Sequence, residues 1–119
     1  MTKIQNNKQY DLEDRTLLFT KRVICFVKSL QKDIPNIEIS KQLVRSSGSV
    51  GANYIEANES LSKKDFKLRV KICRKEAKES RYWLKLVSCS KSMENERLDL
   101  IRESTELMKI FGSILIRSK

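Results

Sequence analysis

Six basic residues, Lys67, Lys71, Arg74, Lys78, Arg81 and Lys85, recur at alternating steps of four and three along one stretch of the chain. On a helix that spacing sets them in a single row, with Lys64 and Lys75 beside it. Ammonium and guanidinium groups held in line attract phosphates, so the chemistry on offer is binding of a polyanion: nucleic acid first, an anionic membrane second. From Ser62 to Ser90 ten basic residues stand against Asp65, Glu76 and Glu79, a net of +7 out of +10 for the whole chain. The competing reading is a solvated lysine face that only keeps the protein dispersed. Six basic residues in register bring the binding reading level with it.

Reaction chemistry finds few candidates. The chain has no histidine, which removes the commonest general base and zinc ligand. Ser46, Ser47 and Ser49 therefore lack a base, and neither a Walker loop nor a dinucleotide fingerprint occurs. Glu56, Glu59, Glu76 and Glu79 invite a di-metal reading, but bundle sites of that kind use a Glu-x-x-His element. The expectation is no enzyme, no cofactor and no metal. Glu76 or Glu79 is instead expected to pair with Arg45 across two helices and fix their register. Cys25, Cys73 and Cys89 are odd in number and outside any CxxC spacing, and are read as buried reduced thiols.

The elements that must hold the rail follow from periodicity. At 119 residues, with 39% hydrophobic and 34% charged side chains, the chain suits one helical domain. One proline and three glycines are too few for many short strands. The longest apolar run is Val23 to Val27, too short to span a membrane, and the first ten residues lack the apolar core of a signal peptide. The chain is accordingly expected in the cytoplasm.

Residues 1–10 are expected to be a flexible N-terminus, and 11–119 one domain. Asp11 is read as the cap of a first helix with the seam Leu12, Thr16, Phe19, Val23, Phe26 and Leu30, stopped at Ile34-Pro35. Asn36 is read as the cap of a second helix, about 37–59, with the seam Leu43, Ser47, Val50, Tyr54 and Ala57, leading to Leu61. The segment Arg45 to Gly51 (RSSGSVG) breaks helix propensity, yet the seven-residue pattern passes through it in phase, which favours a continuous helix. Gly48 and Gly51 there predict close helix approach, with Trp83 a candidate for the space. The third helix has the seam Phe66, Val70, Cys73, Ala77, Ser80, Leu84 and Val87, with Ser62 and Asp65 as a capping box. Asn95 or Ser92 would cap a fourth, with the seam Leu98, Ile101, Thr105, Met108, Gly112 and Leu115. Four helices on short turns predict an all-α, antiparallel up-down-up-down four-helix bundle.

One feature does not suit a lone bundle. Leu68, Tyr82 and Leu86 lie opposite the Phe66 seam, and Ile72 broadens that surface. A helix apolar on two sides has a second partner, so a cyclic homo-oligomer along this face is expected.

The segments RSSGSVGANYIEA, SKKDF and KEAKESRYWLKL resemble the bacterial four-helix-bundle family of 23S rRNA intervening-sequence proteins. Arg45, Ser46, Ser49, Asn53 and Glu56 match the family's RSxxSxxAN-x-x-E pattern. Lys64, Asp65 and Phe66 match its KxDF-type start, and Glu76, Glu79 and Trp83 its third-helix motif. Ser-Gly-Ser stands where relatives often have Gly-Thr-Ser. The resemblance implies a bundle assembled into a closed ring, expected to be a pentamer, with a basic surface. It also implies kinship with accessory proteins of diversity-generating retroelements, which bind a reverse transcriptase and nucleic acid. Two functions follow as expectations: low-specificity binding of RNA or DNA through phosphates, or a scaffolding ring for a protein such as a reverse transcriptase.

Overall fold

The computed structural model describes residues 8–118, with side chains from residue 12 onward. Four α-helices follow in order: α1 (Lys8–Lys28), α2 (Ile34–Asn58), α3 (Lys63–Leu86) and α4 (Glu94–Arg117), the last preceded by a 3₁₀ turn at Lys91–Met93. No strand occurs among the described residues. Short connections force each helix to run antiparallel to the one before. α2 packs on α1 and α3, α3 on α4, and α4 closes the circuit on α1. The architecture is the expected four-helix bundle.

Local chemistry sets the ends, in places differently from the sequence reading. α1 begins at Lys8, so Asp11 lies inside it rather than capping it. The rest of the expected flexible N-terminus, residues 1–7, lies outside the described residues. α1 also stops at Lys28, well before Pro35, which instead sits in the first turn of α2. A missing N–H costs nothing there, so proline starts this helix. The cap of α2 is Asp33, whose carboxylate accepts the Asn36 N–H at 2.9 Å. At α3 the Ser62 hydroxyl accepts the Asp65 N–H at 3.1 Å, as expected. Neither Ser92 nor Asn95 caps α4: Met93 precedes the helix without a side-chain cap, and Ser92 shares a hydrogen bond with Ser90 at 3.0 Å.

Asn36, read as a surface cap, is a buried tie between two turns. Its Nδ2 donates to the Gln31 and Ser88 carbonyls, both at 3.0 Å. Its Oδ1 accepts the Ser88 N–H at 3.1 Å. Three backbone groups of the two turns thus meet one buried side chain, whose own polar atoms are satisfied and which locks the α1–α2 turn to the α3–α4 connection.

The core repeats three of the four predicted seams. Leu12, Thr16, Phe19, Val23, Phe26 and Leu30 of α1 are buried, as are Leu43, Ser47, Val50, Tyr54 and Ala57 of α2. On α3 Val70, Cys73, Ala77, Ser80 and Leu84 are buried and Val87 follows them, with Phe66 half-buried at the start. Leu61 is 99% exposed, because the helix that would carry it inward ends at Asn58. The α4 seam is displaced: Leu100, Ser104, Leu107 and Phe111 point inward, whereas Leu98 is exposed and Ile101, Thr105, Met108, Gly112 and Leu115 are at most half-buried. Ser104 disguises the true row, since it is polar yet satisfied by donating to the Ile101 carbonyl of its own helix at 2.7 Å. Tyr54 and Phe111 tilt against each other across the centre, ring centroids 5.9 Å apart.

Small residues bring helices close. α2 is continuous through Arg45 to Gly51. The space beside Gly48 and Gly51 is filled by α1, not by Trp83: a Cβ on Gly51 would lie 3.0 Å from Thr16 Oγ1 and 3.3 Å from Thr16 Cβ. Thr20 Oγ1 donates to the Ser47 carbonyl at 2.9 Å on the same side. Between α2 and α3 the buried Ser46 and Ser80 hydroxyls meet at 2.8 Å, and the Cys73 thiol donates to the Val50 carbonyl at 3.3 Å.

The α2–α3 register is then fixed at the rim. Arg45 donates to Glu76 Oε1 at 3.4 Å and to Glu79 Oε2 at 2.5 Å, and Trp83 Nε1 donates to the same Glu79 oxygen at 3.2 Å. Asn53 donates to the Ser49 carbonyl and accepts from Arg69, both at 2.9 Å. Glu56 is exposed. α1 and α4 are joined by charge: Arg15 grips Glu103 through two bonds of 2.7 and 2.9 Å, and Arg22 grips Glu96 at 3.1 and 3.2 Å. Those bonds to Glu103 and Glu96 hold the Arg15 and Arg22 guanidinium pKa above its ordinary value.

Four outcomes are expected in thermal unfolding. Gly48→Ala, whose Cβ would sit 4.0 Å from Thr20 Cγ2, gains about 1 kcal/mol of helix propensity and raises Tm. Gly51→Val meets Thr16, whose hydroxyl is already bonded to the Leu12 and Glu13 carbonyls, and loses about 1–3 kcal/mol. Asn36→Ala costs about 1–3 kcal/mol while Asn95→Ala, at an exposed position, leaves Tm unchanged. Glu79→Gln weakens a half-exposed bridge and lowers Tm by about 2–4 °C, against no change for Glu56→Gln.

Candidate nucleic-acid interface

The two flanks of α3 are sorted by charge. Glu76 and Glu79 turn toward α2, where Arg45 meets them. The cationic row turns toward α4. Arg81 Nη1 donates to Thr105 Oγ1 at 3.2 Å, and Arg74 Nε lies 3.7 Å from where a Cβ on Gly112 would be. Lys64, Lys71, Arg74, Lys75, Lys78 and Lys85 are exposed, and Lys67 and Arg81 are half-buried. All eight lie on one helix with their charged ends within reach of solvent.

What sets these cations apart is that eight of them share one helix without an ion-pair partner; Lys21, Lys28, Lys32, Arg69, Lys91 and Arg117 also lack one among the described residues but are scattered. Arg15, Arg22, Arg45, Arg97 and Arg102 each meet a carboxylate within ion-pair distance, as do Lys41 and Lys109. None of the eight rail residues does so among the described residues. Paired charges contribute little field at a distance, so the excess of +10 is expressed largely along α3. Arg69, missed as a site residue, points to Asn53 on the other side of the helix and does not join the row. Thr105 and Gly112 were read as core; their position seven residues apart on α4 was the only sequence signal that they face one flank.

The outward face of α3 carries large apolar side chains among the exposed Lys64 and Lys75. Leu68, Tyr82 and Leu86 are 55%, 58% and 48% exposed, and Ile72 is half-buried. Tyr82 stands edge-on to Trp83 with centroids 5.0 Å apart. No other aromatic residue of α3 lies near the cations, since Phe66 belongs to the core.

The three cysteines are free thiols. Cys73 is buried, and burial pushes its thiol up to about 12. Cys89 is half-buried and donates to Glu94 at 3.4 Å. Cys25, expected inside, is exposed, because it falls on the solvent side of α1 between the core residues Val23 and Phe26. No cluster of metal-ligating side chains occurs among the described residues. No helix among them is long and apolar enough to cross a membrane.

Comparison with known proteins now bears on this geometry. The family model described as 23S rRNA-intervening sequence protein matches residues 8–113. No curated protein matches the chain. Among solved structures, the chain is similar to a crystal structure of a protein of unknown function from the S23 ribosomal protein family of Bacteroides thetaiotaomicron. The two are 32% identical with a TM-score of 0.79, over 92% of this chain and 98% of the other. With the matched region spanning all four helices and a bundle of the same shape in that relative, the chain belongs to the 23S rRNA-intervening sequence protein family.

Proposed function

We propose that the protein is a non-catalytic, basic bundle that binds nucleic acid, RNA foremost, through phosphate contacts along α3. The observation that carries this reading is a row of six cations with two more beside it, all eight without carboxylate partners among the described residues, on a molecule that pairs most of its other arginines with acids. Contacts from lysine and arginine to phosphate position a nucleic acid without reading its sequence, so base discrimination is low. The ribosomal wording in the neighbour's family name makes RNA the polyanion to try first.

A second element of the proposal concerns the outward apolar face. Leu68, Ile72, Tyr82 and Leu86 form the contact surface of a homo-oligomer, a ring of five copies by family resemblance, in the cytoplasm. The alternative function is a scaffold, in which this same face receives a protein such as a reverse transcriptase. A face that keeps large side chains in water is what favours it.

The test is an electrophoretic shift of a structured RNA over a salt series. Affinity is expected to fall by orders of magnitude between low and moderate salt, with a slope of about 0.7–0.9 per phosphate neutralised. Charge reversal at Lys71, Arg74 and Lys78 together abolishes binding, whereas Glu79→Gln lowers Tm and leaves affinity unchanged. Binding that survives both salt and reversal removes α3 as the interface. Capture of a protein partner that resists nuclease, with no RNA shift, favours the scaffold.

A further inference from the structure

Two of the eight rail cations lie against α4: Arg81 is hydrogen-bonded there, and Arg74 is exposed beside Gly112. Arg81 reaches across to α4, where its Nη1 meets Thr105 Oγ1 at 3.2 Å. The Thr105 hydroxyl spends its one proton on the Ile101 carbonyl at 3.1 Å, so what it turns to Arg81 is a lone pair. Arg74 is laid over the α4 backbone at Gly112, its Nε at van der Waals distance from the missing Cβ. Gly112 has no positive φ to explain it, and a glycine inside a helix costs about 1 kcal/mol against alanine. A Cβ at Gly112 would still make ordinary contact with Arg74 Nε at 3.7 Å, so it is a side chain larger than alanine that would displace the guanidinium.

The two contacts share one register. Arg74 and Arg81 are seven residues apart on α3, and Gly112 and Thr105 are seven apart in the reverse sense on α4. The Cα atoms of the two arginines are thus about 10 Å apart along α3. A guanidinium offers a planar fork to phosphate oxygens, and a fixed one loses less side-chain freedom on binding than a lysine does. Arg81 gives one N–H to Thr105 and keeps the others; Arg74 gives none among the described residues. The groove has no stacking platform for unpaired bases, since Trp83 is tied to Glu79 on the opposite flank and Tyr82 leans on Trp83.

Resting on the phosphate-binding reading of α3, we infer that a double-helical RNA backbone runs along the α3–α4 groove, gripped by Arg74 and Arg81, with Thr105 and Gly112 as the residues that position them. The lysines supply the field, Arg81 supplies the fixed point through Thr105, and Arg74 lies one register step away over Gly112.

The experiment measures binding of a labelled RNA hairpin, and of the same sequence as an unpaired strand, at one moderate salt concentration. Thr105→Val and Gly112→Leu leave the net charge alone, and each is expected to weaken hairpin binding about 3- to 10-fold, the scale of one lost hydrogen bond. Thr105→Ser keeps the hydroxyl and restores wild-type affinity. In an Arg74→Ala background Gly112→Leu has no further effect, a coupling that a merely structural change would not produce. If Gly112→Leu fails to fold, the Thr105 pair decides. Wild-type affinity in both Thr105→Val and Gly112→Leu, with binding still abolished by charge reversal at Lys71, Arg74 and Lys78, overturns the groove and leaves the phosphate reading standing. Tighter binding of the unpaired strand overturns the double-helical ligand. No binding by the wild-type protein sinks both.

Discussion

The close approach of α2 and α3 is the contact on which the arrangement depends. It is made by small groups, Ser46 against Ser80 and Cys73 against the Val50 carbonyl, so the two backbones can draw together. Buried hydroxyls are tolerable there because both protons find an acceptor: one serine donates across the interface to the other, and that other donates to a carbonyl of its own helix, Leu43 for Ser46 or Glu76 for Ser80. Once α3 is held by this edge, its rotation about its own axis is set. Glu76 and Glu79 must then face Arg45, and the basic row, about a quarter-turn to the other side of the seam, must face α4.

A helix with this much like charge has to be stabilised by something else. Neighbouring cations at steps of three and four along Lys67, Lys71, Arg74, Lys78, Arg81 and Lys85 repel by a few tenths of a kcal/mol each, roughly 1–2.5 kcal/mol for the row. Burial of Val70 and Leu84 on the same helix, and of Val87 just after it, is worth roughly 1.5–3 kcal/mol apiece as an upper estimate, before the contributions of Cys73 and Ala77. Packing therefore outweighs repulsion by a wide margin. The row can remain unneutralised without threatening the helix, which is the condition a polyanion-binding surface needs.

The sequence made the fold legible wherever a single helix carries its own signal. The seams of α1, α2 and α3, the passage of α2 through its serines and glycines, and the Ser62 cap are all local patterns. What stayed hidden depends on pairs distant in the chain. Asn36 looked like a cap because nothing local shows that Ser88 lies beside it. Thr16 and Thr20 could not be seen as the neighbours of Gly51 and Gly48 without knowing which helix α2 meets on that side. The α4 seam was misread by one position because its true row includes Ser104, while the apolar Ile101, Met108 and Leu115 lie on a flank and mimic a core. For the candidate site, the row of cations was readable as spacing, but its lack of acidic partners was not. That property depends on where the acids of the other helices point.

Those acids point away. Glu96, Asp99 and Glu103 of α4 are engaged by Arg22 and Arg15 of α1, and Glu106 by Lys109 of its own helix. The opposite flank of α4, along the α3 cations, presents Thr105 and Gly112, which are uncharged. α4 is thus sorted as α3 is, with one flank for ion pairs and one for the groove. Had Glu103 or Glu106 lain one position further round, it would meet an α3 cation instead, and the rail would be an internal salt-bridge ladder of the kind already found between α1 and α4. The same two residue types produce a closed seam on one side of α4 and an open, positive one on the other. The difference is the phase of the acids on one helix.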